Sequence, residues 1–316
     1  MRIVFMGTPD FATGILKSLV EDGKHEIAAV VTATDKPAGR GMKLQASSVK
    51  IYAQEKGLKI LQPDNLKDEH FLQSLQQLDA QLFVVVAFRM LPKVVWGIPP
   101  KGTINLHASL LPDYRGAAPI NWAIINGEVQ TGVTTFFINE KMDAGEIILQ
   151  KEVDILPSDN AGSLHDKLLE VGKSAVIETL NLIENGSFSS TIKNEVVNLL
   201  KLAPKIYKEN CQINWNLPAE QIQNLVRGLS PYPSAFTTYT DKNGSTVQMK
   251  IFGVKIEEKK LHLDLGKASC DDKNYLKIGC ADGEVFIEDL QIHGKKRMFI
   301  GDFLRGNKGF EGVLFQ

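Results

Sequence analysis

From Leu82 to Phe88 the chain reads Leu-Phe-Val-Val-Val-Ala-Phe, an unbroken apolar run. A strand that is apolar on both faces has to be covered on both faces, which is the situation of a central strand in a parallel sheet flanked by helices. The amino terminus supplies the matching unit. Ile3–Met6 reads as a strand that ends in the Gly7-Thr8-Pro9-Asp10 turn, Phe11, Ala12, Ile15, Leu16, Leu19 and Val20 recur at helical spacing, and Ile27–Val31 reads as a second strand. A β-α-β unit of this kind predicts an α/β domain with a parallel-dominated sheet and helices on its faces. Gly7 stands alone and does not begin a Gly-x-Gly-x-x-Gly fingerprint, which disfavours a nicotinamide-dependent oxidoreductase.

Further along, a short strand at Leu58–Leu61 and a helix near Asp68–Gln77 lead into the apolar run at Gln81–Phe88. Strands follow at Thr103–His107, Thr131–Ile138 and Ile147–Val153, with helices at Ile120–Ile125 and from Leu164 to Ile183. Periodicity is lost from Asn185 to Lys205, which reads as a linker. Beyond it come a helix at Glu220–Arg227 and short alternating segments at Phe236–Tyr239, Val247–Phe252, Leu261–Leu265, Leu276–Gly279 and Val285–Ile292, the pattern of a small β-barrel. At 316 residues the chain exceeds a typical single core. The expected division is therefore an α/β domain over 1–185, a linker over 186–206 and a barrel domain over 207–316.

Apolar residues at 43%, charged residues at 23% and a net charge of −1 describe an ordinary soluble protein with no global field advertising nucleic acid. Local patches are a different matter. Asp35–Lys59 holds Lys36, Arg40, Lys43, Lys50, Lys56 and Lys59 against Asp35 and Glu55, a balance of 6 − 2 = +4. Its opening, Asp35-Lys36-Pro37-Ala38-Gly39-Arg40-Gly41-Met42-Lys43, reads as a mobile loop, either merely solvated or closing on a phosphate or RNA. The part from Lys208 onward has 15 Lys and Arg against 14 Asp and Glu, with Lys295-Lys296-Arg297 as a basic edge or a solvated charge run. Cys211, Cys270 and Cys280 form no Cys-x-x-Cys pair, so no metal is expected and a reducing cytoplasm is. Neither a signal peptide nor a membrane span is read, and a monomer is expected.

The candidate chemistry lies in Asn105-Leu106-His107, where strand spacing puts an amide and an imidazole on one face. Pro112, Gly116 and Pro119 stiffen the loop that follows, and Asp143 in the turn between two strands would add a carboxylate if that turn faces the pocket. The trio has no hydroxyl or thiol nucleophile, and Ser109 need not reach His107. An amide beside an imidazole suits acyl transfer between two bound substrates: the amide donates to a developing oxyanion, and the histidine handles the proton of an attacking amine.

Asn105-x-His107, Ser109-Leu110-Leu111-Pro112, Tyr114-Arg115-Gly116-Ala117-Ala118-Pro119 and Met142-Asp143-Ala144-Gly145-Glu146 together resemble the motifs of the methionyl-tRNA formyltransferase family, within the wider group of 10-formyltetrahydrofolate-dependent formyltransferases. The resemblance covers nearly the whole chain, through Ala203–Glu209, Ile213-Asn214-Trp215, Ile222–Arg227 and Pro231-Tyr232-Pro233. It implies a Rossmann-like formyltransferase domain followed by an OB-like barrel that binds tRNA. It further implies that Asn105 polarises the formyl oxygen, His107 manages the proton, and Asp143 supports the protonated histidine and orders a water. The pterin of 10-formyltetrahydrofolate would lie against Phe88, Arg89, Met90 and Leu91, with Ser109, Leu110, Leu111 and Pro112 closing one side and no metal required. Arg40 and Lys43 would touch methionyl-initiator-tRNA, joined by patches at Lys205, Lys208 and Lys295–Arg297. Transfer to a nucleotide sugar or glycinamide ribotide, hydrolysis of the formyl donor, and a non-catalytic RNA-binding role on the same fold are the competing readings.

Overall fold

The structure is a computed structural model that describes residues 1–38, 43–187, 200–257 and 263–316. In chain order its elements begin β1 (Arg2–Gly7), α1 (Asp10–Asp22), β2 (Glu26–Val31), β3 (Lys36–Ala38), β4 (Lys43–Gln45), α2 (Ser48–Glu55), β5 (Ile60–Leu61), α3 (Glu69–Gln76), β6 (Leu82–Val86), α4 (Lys93–Trp96) and β7 (Thr103–His107). They continue with β8 (Arg115–Gly116), α5 (Pro119–Ile125), β9 (Gln130–Phe137), β10 (Ile147–Asp154), α6 (Ala161–Asn185), β11 (Leu202–Ala203) and α7 (Ala219–Leu229). Last come β12 (Ala235–Thr240), β13 (Thr246–Ile256), β14 (Ala268–Cys270), β15 (Leu276–Cys280), β16 (Gly283–Ile292), β17 (Met298–Phe299) and α8 (Ile300–Gly306). Two compact units result: 1–116 with 131–154 and 165–202, and 117–130 with 155–164 and 203–316. Among the described residues, no helix is long and apolar enough to cross a membrane.

The first unit is built on a seven-stranded sheet in the order β10-β9-β7-β6-β1-β2-β5. β1, β2, β5, β6 and β7 run parallel, and β9 is antiparallel to β7. β6 takes up Leu82–Val86 of the apolar run and is buried at every position, whereas Ala87 is exposed and Phe88 half-buried beyond its end. Phe83 and Val85 pack with Val4, Met6, Phe71, Leu75 and Val95 on one face, and Thr135 of β9 meets Thr179 of α6 at 2.7 Å, hydroxyl to hydroxyl. Helix starts follow local chemistry. The Asp68 carboxylate accepts from Phe71 N at 2.9 Å to open α3, and the Ser47 hydroxyl accepts from Lys50 N at 3.1 Å to open α2.

The segment read as a mobile loop after β2 is in part an antiparallel hairpin, with Lys36 opposite Gln45, Pro37 opposite Leu44 and Ala38 opposite Lys43. A pair this short tolerates Pro37 because each strand has only one neighbour, so a missing N–H breaks no central ladder. Lys43 belongs to β4, whereas Arg40 lies outside the described residues.

The second unit is an antiparallel sheet in the order β12-β13-β16-β15-β14, with β17 added on β16. The tail curls it toward closure: Thr238 N donates to Gln316 O at 2.9 Å on one edge, and Ala268 N donates to Val313 O at 2.8 Å on the other. Ile222, Val226, Met249, Ile251, Ile278, Val285, Leu290 and Phe303 share its core. β14 and α8 were not anticipated: β14 is only three residues long, and α8 contains Gly301 and Gly306, which read as breakers. Of the expected strand at Leu261–Leu265, residues 261 and 262 lie outside the described residues, and 263–265 are not in a strand.

The Lys295–Arg297 run is not uniformly a free basic edge. Arg297 Nε contacts both carboxylate oxygens of Asp289, at 3.0 and 2.9 Å, and its guanidinium lies 4.2 Å from the Phe252 ring centroid. Lys277 and Glu284 form a second pair at 2.7 Å, with side chains only 14% and 5% exposed. Removing one member of such a pair strands the other without compensation. Glu284→Ala is expected to destabilise the second unit by roughly 3 kcal/mol, read as a lower denaturant midpoint at unchanged slope.

Candidate active site

β7 brings the expected amide and imidazole together. Asn105 lies opposite Val85 of β6 and Phe136 of β9, and His107 lies opposite Thr134 of β9. Directly opposed residues of an antiparallel pair share a face, so Asn105, His107, Thr134 and Phe136 project from one side of the sheet. Asn105 is half-buried, and its amide has no hydrogen-bond partner among the described residues. His107 is only 7% exposed, and its Nε2 is 2.8 Å from the carbonyl oxygen of Tyr114. A carbonyl can only accept, so Nε2 carries the hydrogen and Nδ1 of the neutral ring presents a lone pair.

That lone pair faces Asp143, whose Oδ2 is 4.0 Å from His107 Nδ1. The same carboxylate oxygen accepts from Gly116 N at 3.0 Å, which ties the turn after β9 to the loop after β7. The turn depends on Gly145, since a Cβ there would lie 1.6 Å from the Phe137 carbonyl oxygen and the hairpin could not fold back. Asp143 has φ +47, a left-handed conformation that aspartate accepts more readily than most residues. Tyr114 also sits at positive φ, +59, and its N–H donates to Lys201 O at 2.6 Å while its carbonyl holds the imidazole.

Ser109 and Leu111 are buried, and Leu110 and Pro112 are half-buried. The Ser109 hydroxyl donates to Asp113 O at 2.7 Å, so it braces the loop. Beyond the carboxyl end of β6, Arg89, Met90, Leu91 and Pro92 line a cleft of about 320 Å³ with Asp64, Asn65, Leu66 and Lys67. Met90 is 71% exposed while Leu91 is buried beneath it. Arg89 Nη1 donates to Asp64 O at 2.8 Å, and its guanidinium sits 5.6 Å from the Phe88 ring centroid. Ligand sites of open α/β sheets lie beyond carboxyl ends of this kind.

The groups expected at RNA are distributed differently. Lys205 lies 5.4 Å from the Tyr207 ring centroid and Lys208 lies 5.9 Å from that of Phe236, both exposed and in the second unit. Lys50 is committed within the first unit: its ammonium is 2.7 Å from Asp35 Oδ2, and this bond, with one from Gln62, holds the Asp35 carboxyl below its ordinary range. Sequence reasoning did not find Tyr114 O, Gly116 N, Thr134 or Gln150, which fix the site's geometry. The first two are backbone groups that carry no residue-type signal, and the other two read only as strand positions.

Known proteins agree with this architecture. The sequence profile described as "Formyl transferase" matches residues 1–180, and "Formyl transferase, C-terminal domain" matches residues 205–308. The methionyl-tRNA formyltransferase of Flavobacterium johnsoniae is 52% identical over 97% of this chain and 96% of its own length. That of Bacteroides thetaiotaomicron is 48% identical over 99% of this chain and 97% of its own. Among solved structures, the sugar 3N-formyltransferase WlaRD, crystallised with dTDP and 5-N-formyl-THF, aligns with a TM-score of 0.65 at 21% identity, over 94% of this chain and 99% of its own. HypX from Aquifex aeolicus in complex with tetrahydrofolic acid aligns with a TM-score of 0.64 at 20% identity, over 100% of this chain and 51% of its own. These two establish a shared fold only, whereas the profiles and the sequence relatives establish kinship. The chain belongs to the formyl transferase family, and within it to the methionyl-tRNA formyltransferases.

Proposed function

We propose that the protein transfers a formyl group from 10-formyltetrahydrofolate to the α-amine of methionyl-initiator-tRNA, the reaction that its sequence relatives' names describe for methionyl-tRNA. One observation carries the chemical part of this reading. A half-buried amide without a partner among the described residues stands two strand positions from an imidazole whose other nitrogen is already committed. Asn105 Nδ2 is the donor available to the formyl oxygen as the amine attacks the formyl carbon. The new C–N bond forms while that oxygen takes up the carbonyl electron pair. His107 takes the amine's proton at Nδ1, where Asp143 compensates the imidazolium; the oxygen then returns its pair to re-form the carbonyl, and the bond from the formyl carbon to N10 of the folate breaks as N10 receives the proton that the imidazolium gives up.

In this reading the pterin lies against Phe88, Arg89, Met90 and Leu91, the last three of which line the cleft with Pro92, and Ser109–Pro112 close one side. The acceptor side rests on Arg40, Lys43, Lys205 and Lys208 as cations for the tRNA phosphates. The test is direct. Incubated with 10-formyltetrahydrofolate and methionyl-initiator-tRNA, the protein is expected to yield formyl-methionyl-tRNA. No product there, together with product on an amino sugar nucleotide, overturns the acceptor; no product on either overturns the reaction.

A further inference from the structure

The loop after β7 is irregular backbone in a buried place, so its polar groups need partners that no ladder supplies. Two side chains from the next two strands of the sheet, β9 and β10, provide them. The Thr134 hydroxyl donates to Ser109 O at 2.6 Å and accepts from Leu111 N at 3.1 Å and from Gln150 Nε2 at 2.9 Å. One donor and two acceptors are all that a hydroxyl has, so its capacity is fully used. Gln150 Nε2 also donates to Leu111 O at 2.9 Å, which uses both amide hydrogens and fixes which way the amide points, since a carbonyl can only accept. Thr134 is fully buried, and Ser109 and Leu111 are 0% and 3% exposed, so water does not stand in for any of these bonds.

We infer that Thr134 and Gln150 are positioning residues for the formyl donor: together they hold the loop Ser109–Leu111 at a set distance from Asn105 and His107. The inference rests on the donor placement proposed above and deepens it. Thr134 lies directly opposite His107 in the β7/β9 register, and Gln150 comes from the adjoining strand β10. The loop is thereby registered to the catalytic strand through the sheet itself. Valine has the shape of threonine but would leave Ser109 O without its donor, Leu111 N without its acceptor and one Gln150 hydrogen unplaced. The strands would stay paired while the loop shifted, so the damage should fall on the donor subsite and spare the acceptor.

Steady-state kinetics of the full chain separate this from a merely structural role. Thr134→Val is expected to raise the KM for 10-formyltetrahydrofolate by about tenfold or more, with the KM for methionyl-tRNA changed less than about twofold, and Thr134→Ser, which keeps the hydroxyl, to restore the donor KM. Gln150→Leu, at a half-buried site that folding tolerates more easily, should shift the same constant in the same direction. The double variant should fall short of the product of the two single effects, because both act on one loop. Should both KM values move together, or neither move, or Thr134→Ser fail to rescue, the positioning role is overturned. A wild-type protein that forms no formyl-methionyl-tRNA instead overturns the function on which the inference rests.

Discussion

Asn105→Ala is expected to lower turnover by roughly 10²–10³-fold, the usual loss when one preorganised oxyanion donor is removed. The amide makes no hydrogen bond to the described residues, so its removal strands no partner among them and should leave the folding transition nearly where it was. Because the proposed contact strengthens as charge develops on the formyl oxygen, kcat and kcat/KM should fall together, with the KM values for folate and tRNA little changed. Turnover within about tenfold of wild type would remove Asn105 from the role, since an oxyanion donor cannot be that dispensable.

His107→Gln is the second large expectation. Truncation to alanine would leave the Tyr114 carbonyl without a donor in a buried place, confounding catalysis with stability. Glutamine retains an N–H that can reach for that carbonyl, but it cannot carry a proton. The expected outcome is a folded protein with kcat reduced by about 10²–10⁴-fold, the range associated with loss of a positioned acid or base. Activity above about a tenth of wild type, with a normal melting temperature, would show that the amine loses its proton elsewhere. The experiment also bears on Asp143, whose carboxylate is 4.0 Å from Nδ1 and is anchored by Gly116 N at 3.0 Å. In His107→Gln no imidazolium forms for that carboxylate to compensate.

Much of this molecule is legible along the chain because its signals are local. The apolar run at Leu82–Phe88 announced a central strand, and β6 is buried throughout. Asn105 and His107 were two apart in a strand pattern, and a pleated strand has to put them on one side. The second unit was read less completely. β14 is only three residues long, α8 carries two glycines that read as breakers, and Arg297 looked like part of a surface charge run when it in fact grips Asp289 and covers Phe252.

The sequence by itself determined which segments alternate between strand and helix and which residue types are available for acyl transfer. Asp143 could be named as a candidate, but whether its turn faced the pocket depended on β9 pairing with β7 and β10 with β9, the carboxylate standing 36 positions (143 − 107 = 36) along the chain from the imidazole. Only the tertiary structure set Asp143 beside His107, aimed the Tyr114 carbonyl at Nε2, and clamped Ser109–Leu111 with Thr134 and Gln150. The physical reason is the same in each case. Those contacts join backbone groups or distant strands, and neither the acceptor capacity of a carbonyl nor a register between strands is written in the identity of any single residue.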